Sequence, residues 1–186
     1  MASLQPLTAL GRREATTVTH GPLTISERTD VALASVAARN GRAADLAKAA
    51  QKADVPLPGP ASHQQGTPYS AFWTAPEMWF VEAPYASHEL IVDLLKSALA
   101  DTASITEQTD AWVAFDLSAH DLTRLLERLC NVDFAARPTG YATRTVMEHL
   151  GVYLIKHGPG AARLYGPRSS AESLLHAIET AAHSVW

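Results

Sequence analysis

With 186 residues and 20.0 kDa the chain can bury one substantial core, or two small halves that share one. Its 47% hydrophobic and 18% charged residues are ordinary for a globular protein, and a net charge of -4 provides no basic footprint for nucleic acid. No apolar run approaches a membrane span, and Met1–Leu7 shows no basic region leading into an apolar block, so no secretory signal is expected. A single cysteine, Cys130, excludes an internal disulfide and fits a reducing cytoplasm.

Residues 1–30 mix Arg, Thr, Pro and Gly with weak periodicity, and read either as a frayed terminus or as an arm ordering against a partner. Val31–Ala37 reads as a small-residue strand closed by an Asn40-Gly41 turn, followed by an Ala-rich helix over Arg42–Ala53. Asp54–Tyr69 carries four prolines and two glycines, which makes it a surface loop. Two aromatic strands around Trp73 and Trp79 meet at Pro76-Glu77. A helix is expected from Ser87, its stripe formed by Leu90, Ile91, Leu94, Leu95 and Ala98. Ser87 would cap it and Glu89 would favour its positive end. A short strand over Ser104–Gln108 ends this half.

The second half opens with the apolar run Ala111–Leu117, then a capping box at Ser118–Asp121. Leu122, Leu125, Leu126 and Leu129 follow at the spacing of one buried helix face. Thr143–His149 and Val152–His157 suggest a hairpin turning near Gly151, and Gly158-Pro159-Gly160 turns the chain into Ala161–Tyr165. A final helix begins near Ser169, with Glu172 completing a capping box and Leu174, Leu175 and Ile178 inside. The order βαββαβ then βαβββα implies an α+β fold of two successive split-βαβ, ferredoxin-like halves with antiparallel sheets. The expected organisation is an arm over 1–30 and one α+β domain over 31–186, with halves at 31–109 and 110–186.

The residues that could carry chemistry do not converge. His149 and Glu148, if neighbours on a strand, would face opposite ways, and His63, His88, His120 and His183 lack ligand spacing. Cys130 ends a helix, where the dipole disfavours a thiolate. No serine sits in a nucleophile elbow, and Gly158-Pro159-Gly160 lacks the features of a phosphate loop. Arg144 and Glu148 share a strand face with Arg163 on the next strand; they could bind a carboxylate ligand, although a sheet-surface ion-pair cluster accounts for them better. Phe72, Trp73, Trp79 and Phe80 put aromatics on both hairpin faces, so the second face needs cover from a helix or from another protein. No catalytic, cofactor-binding or metal-binding residue is assigned.

The run Trp73–Val81 also resembles a signature, W-x-x-P-E-x-W-F/L-V, of the γ subunit of heterotetrameric sarcosine oxidase. Asp110–Val113, Leu125–Asp133, Gly140–Thr145 and Tyr165–Ala171 resemble further segments of that family in the same order, with Ala119 where relatives often place Gly. The resemblance implies the fold of the first domain of the glycine-cleavage aminomethyltransferases. It implies a structural partner of α, β and δ subunits, in a complex converting sarcosine to glycine, hydrogen peroxide and formaldehyde or 5,10-methylenetetrahydrofolate. FAD, FMN, NAD, tetrahydrofolate and zinc would then belong to the partner subunits and none to this chain. A free-standing folate-binding or aminomethyltransferase-like protein, or an assembly factor that leaves the mature complex, are the competing expectations.

Overall fold

The computed structural model describes residues 5–186. Its elements in chain order are β1 (Thr17–His20), β2 (Leu23–Arg28), β3 (Val31–Ala38), α1 (Ala43–Lys52), β4 (His63–Gln64), β5 (Ser70–Ala75), β6 (Met78–Pro84) and the short α2 (Tyr85–His88). Then come α3 (Ile91–Leu99), β7 (Ala103–Glu107), β8 (Trp112–Ser118), α4 (Thr123–Leu129), β9 (Ala142–Met147), β10 (Leu150–Gly158), β11 (Ala161–Pro167) and α5 (Ala171–Val185). The chain resolves into two compact units. One holds residues 30–110 and 140–143; the other holds the N-terminal residues through Thr29 with 111–139 and 144–186.

In the first unit the sheet order is β4-β5-β6-β3-β7, every neighbouring pair antiparallel. Taking β3, β5, β6 and β7 as four successive strands, this is the split-βαβ arrangement the pattern predicts. Ala32, Ala34 and Val36 of β3 join Leu46 of α1 and Ile91, Leu95 and Leu99 of α3 in one core. The small side chains of β3 let the helices approach, since a tight interior rewards matched volume. The β5–β6 hairpin forms as expected. Glu77 closes it at φ 57, and Phe72 pairs with Phe80 and Trp73 with Trp79. Residues 140–143 attach beside β4, where His63 N donates to Gly140 O at 2.7 Å and Ala142 N to Ala61 O at 3.0 Å.

The second unit has the order β1-β2-β8-β11-β10-β9. Here β8, α4, β10, β11 and α5 follow the split pattern, but the strand completing it beside β8 is β2, from the start of the chain. The predicted arm over 1–30 is therefore corrected where the structure describes it; residues 1–4 lie outside the described residues. Leu23 and Ile25 are buried in the same core as Phe115, Leu126, Leu164 and Ile178. The third inward position of β2 is Glu27, and a charged residue there hid the alternation. Its buried carboxylate accepts Leu10 N and Thr16 N, each at 3.1 Å, tying the preceding segment to the strand. A buried acid is tolerated only when so paired.

Three local expectations change. The β9–β10 turn is at Glu148 and His149, with φ 46 and 66, as a two-residue hairpin loop of mirror-image type requires. Gly151 instead lies inside β10. Helix α3 begins at Ile91 after the separate turn α2, and its buried line is Ile91, Leu95 and Leu99 at i, i+4, i+8; Leu90 and Leu94 are 66% and 42% exposed. At the helix starts, Asp121 alone caps α4, accepting Thr123 N at 2.9 Å, whereas Ser170 makes no side-chain cap to α5.

Candidate functional site

On the second unit's sheet, Val113, Phe115 and Leu117 enter the helix-covered core, so the alternation of β8 turns Trp112, Ala114 and Asp116 to the opposite face. Register places Asp116 between Ser26 of β2 and Arg163 of β11. Arg163 forks onto its carboxylate, Nε to Oδ1 at 2.7 Å and a terminal nitrogen to Oδ2 at 3.0 Å, and Arg28 reaches Oδ2 at 2.5 Å. Burial by itself would raise the Asp116 pKa, but the two guanidinium groups overcome it and hold the carboxyl below its ordinary value. The cluster is a salt-bridge network with one anion engaged by two cations, the geometry that suits arginine and carboxylate.

Arg144 is corrected in its neighbours. Glu148 sits in the turn, not on the strand, and β10 separates β9 from β11, so Arg144 and Arg163 are not on adjacent strands. Arg144 lies instead over Gly151, where a side chain would meet its guanidinium at 3.2 Å, and over the Tyr153 ring at 5.9 Å. Tyr153 in turn packs against Trp112, ring centroids 5.3 Å apart. Gly151, the second residue of β10, leaves the room this cation–aromatic stack occupies. The sheet face thus carries an aromatic stack and an ion-pair cluster, and both are built to fix side chains in place.

The remaining candidates are dispersed. His63 and Glu82 form a buried pair at 3.4 Å in the first unit, and His20 meets Glu179 at 3.1 Å in the second. Ser87 Oγ lies 2.9 Å from the imidazole of its own neighbour His88, without an orienting carboxylate in the pair. Burial pushes the Cys130 thiol pKa up, so the thiolate is disfavoured there. Among the described residues no group of three His, Cys, Asp or Glu side chains could hold a metal ion, and no helix is long and apolar enough to cross a membrane. The aromatic hairpin is also revised: Phe72 and Phe80 are 0% and 7% exposed in the chain by itself, with their rings edge-to-face at 5.4 Å. Those two need no second protein to cover them. Trp79, half-buried against the first unit's core, donates its indole N–H to Pro58 O at 2.8 Å and fastens the proline-rich loop.

Sequence reasoning missed Asp116, Arg28, Glu27 and Lys156. Lys156 is buried and donates to Phe134 O at 2.7 Å and Arg137 O at 2.6 Å, its ammonium 4.5 Å from the Phe134 ring centre. The available signal was a charged residue standing at an alternating position within an otherwise apolar strand.

No protein-family model matches the sequence, and no curated protein sequence does. Among solved structures, a chain of the heterotetrameric sarcosine oxidase from Corynebacterium sp. U-96, in complex with pyrrole 2-carboxylate, is similar with TM-score 0.76 and 19% identity. That match covers 90% of this chain and 87% of the other. The glycine cleavage system aminomethyltransferase T from Bartonella henselae is similar with TM-score 0.55 and 10% identity over 82% of this chain. This chain spans 44% of that protein's length. The architecture of paired α+β units is therefore the fold of a heterotetrameric sarcosine oxidase chain, found also in part of an aminomethyltransferase.

Proposed function

We propose that this chain is the γ subunit of a heterotetrameric sarcosine oxidase, a structural and non-catalytic member of the complex. The reaction would be oxidative demethylation of sarcosine to glycine, with hydrogen peroxide and formaldehyde or 5,10-methylenetetrahydrofolate as the other products. The observation that carries this reading is the end-to-end likeness to one sarcosine oxidase chain, 90% of this chain on 87% of that one. The side chains support the non-catalytic part. Arg28 and Arg163 are committed to Asp116, and the Cys130 thiol is held away from its nucleophilic form. FAD, FMN, NAD, tetrahydrofolate and zinc belong, in this reading, to the α, β and δ companions, and the assembly works in the cytoplasm.

Co-expression with those companions tests the proposal. The expected result is a complex containing this chain in stoichiometric amount, with yield or activity falling when it is omitted. A complex of full size and full activity without this chain overturns the proposal, as does amine oxidation by the isolated chain. The likeness to an aminomethyltransferase favours one second reading, a folate-binding protein acting alone. Saturable binding of a reduced folate to the isolated chain would select it.

A further inference from the structure

Residues 53–110 contain eight Asp or Glu and a single basic side chain beyond histidine, Lys96, although the whole chain carries only a net -4. The remainder of the protein is therefore positively biased and this segment strongly negative. Its acidic groups do not spread evenly. Val31 pairs with Pro84, Tyr85 N donates to Asp30 O at 2.8 Å, and Gln108 N donates to Leu33 O at 2.9 Å. Those bonds bring the end of β6, the start of β3 and the end of β7 to one end of the first unit's sheet. Tyr85, Glu107 and Asp110 consequently lie at that end.

The same end presents apolar surface. Tyr85 is 38% exposed, and its hydroxyl donates to Glu89, the residue before the 66%-exposed Leu90, at 3.2 Å. Leu94 N bonds Leu90 O at 3.2 Å, so the two leucines stand one turn apart on one side of α3. Glu89 and Asp93, also one turn apart, are exposed beside them. Hydrogen bonding to Glu89, then burial and the charges of Glu89, Asp110 and Glu107, raise the Tyr85 phenol pKa. Lys96 is two residues beyond Leu94, roughly 200° around the helix, and His88 is turned against the Tyr69 ring. A buried line at Ile91, Leu95 and Leu99 already anchors α3 in the core. Leu90 and Leu94 are thus surplus to the fold.

We infer that Tyr85, Leu90 and Leu94, bordered by Glu89, Asp93, Glu107 and Asp110, form a docking surface for a partner subunit's segment with an apolar anchor flanked by lysine or arginine. The anchor would cover the leucines while the flanking cations meet the carboxylates, giving both affinity and orientation. The inference rests on the proposed assembly and specifies where on this chain one companion sits.

The test uses the full chain co-expressed with the companions. Variants are Leu90→Asp with Leu94→Asp, and separately the charge-neutralised Glu89→Gln, Asp93→Asn, Glu107→Gln and Asp110→Asn. Both sets change exposed positions, and circular dichroism with thermal melting verifies that each variant folds. Wild type should assemble, and each variant should bind about tenfold or more weakly. The charge-neutralised set should also flatten the salt dependence of association. A zero-length carboxyl–amine crosslinker applied to the wild-type complex should join one of the four carboxylates to a lysine of a companion. If wild type assembles while folded variants bind as tightly and no such crosslink forms, the surface assignment is wrong and the proposed function stands. If wild type does not assemble at all, the proposed function fails and takes this inference with it. Self-association of the isolated chain that the leucine variant disperses would identify a second copy as the occupant and overturn the choice of partner.

Discussion

The two units carry related topologies but are held together by different means. The unit around residues 30–110 is nearly continuous in sequence; its apolar core has small residues on β3 and leucines on the helices, and its buried acid, Glu82, is met by the His63 side chain at 3.4 Å. The other unit is assembled from three separated stretches, and beside its apolar core it buries Glu27 and Lys156. Each of these charges spans a connection that apolar contact alone would leave loosely registered. Glu27 holds the segment before β1 through Leu10 N and Thr16 N; Lys156 holds the loop after α4 through Phe134 O and Arg137 O. Hydrophobic burial is non-directional, so a unit gathered from distant segments gains register from directional bonds to backbone groups.

The largest expected effect probes the strand supplied from the chain's start. Ile25→Asp should cost more than about 4 kcal/mol by placing an unpaired acid in the core, and Ile25→Ala about 2–4 kcal/mol. Denaturant unfolding measures both. Amide exchange should show the greatest loss of protection in β2 and β8, and equal loss in β3 and β6 would erase the distinction between the units. Next comes Lys156→Met, which removes two charge-assisted bonds and should cost about 2 kcal/mol. Limited proteolysis should then cut faster within residues 131–139; an unchanged rate would deny Lys156 its role as a tie.

Asp116→Asn should cost about 1 kcal/mol at neutral pH, leaving Arg28 and Arg163 facing each other without their anion. Its sign with pH follows from the depressed folded pKa. The contribution is present above the unfolded carboxylate value near pH 4 and is lost as pH falls through the lower folded value. The stability gap between wild type and variant should therefore close in acid; a gap independent of pH would separate it from the carboxylate's charge. The smallest effect belongs to the contiguous unit. Trp79→Phe deletes the bond to Pro58 O and should cost about 1 kcal/mol or less, visible as faster exchange or cleavage in residues 54–60.

Residues that obey periodicity were legible without coordinates. The β3 strand, the aromatic hairpin closing at Pro76-Glu77, and the leucines of α4 follow local rules of alternation and turn chemistry that neighbouring residues dictate. What only the tertiary structure decided involves partners far apart in the chain. That β2 completes the sheet beside β8, that Asp116 draws in Arg28 and Arg163, and that Arg144 lies over Gly151 depend on strand order. Strand order is set by the packing of the whole core, which no short window of sequence encodes. Likewise the apolar stripe of α3 could be listed from its spacing, but which leucines face inward was settled by where the helix rests on β3 and β7.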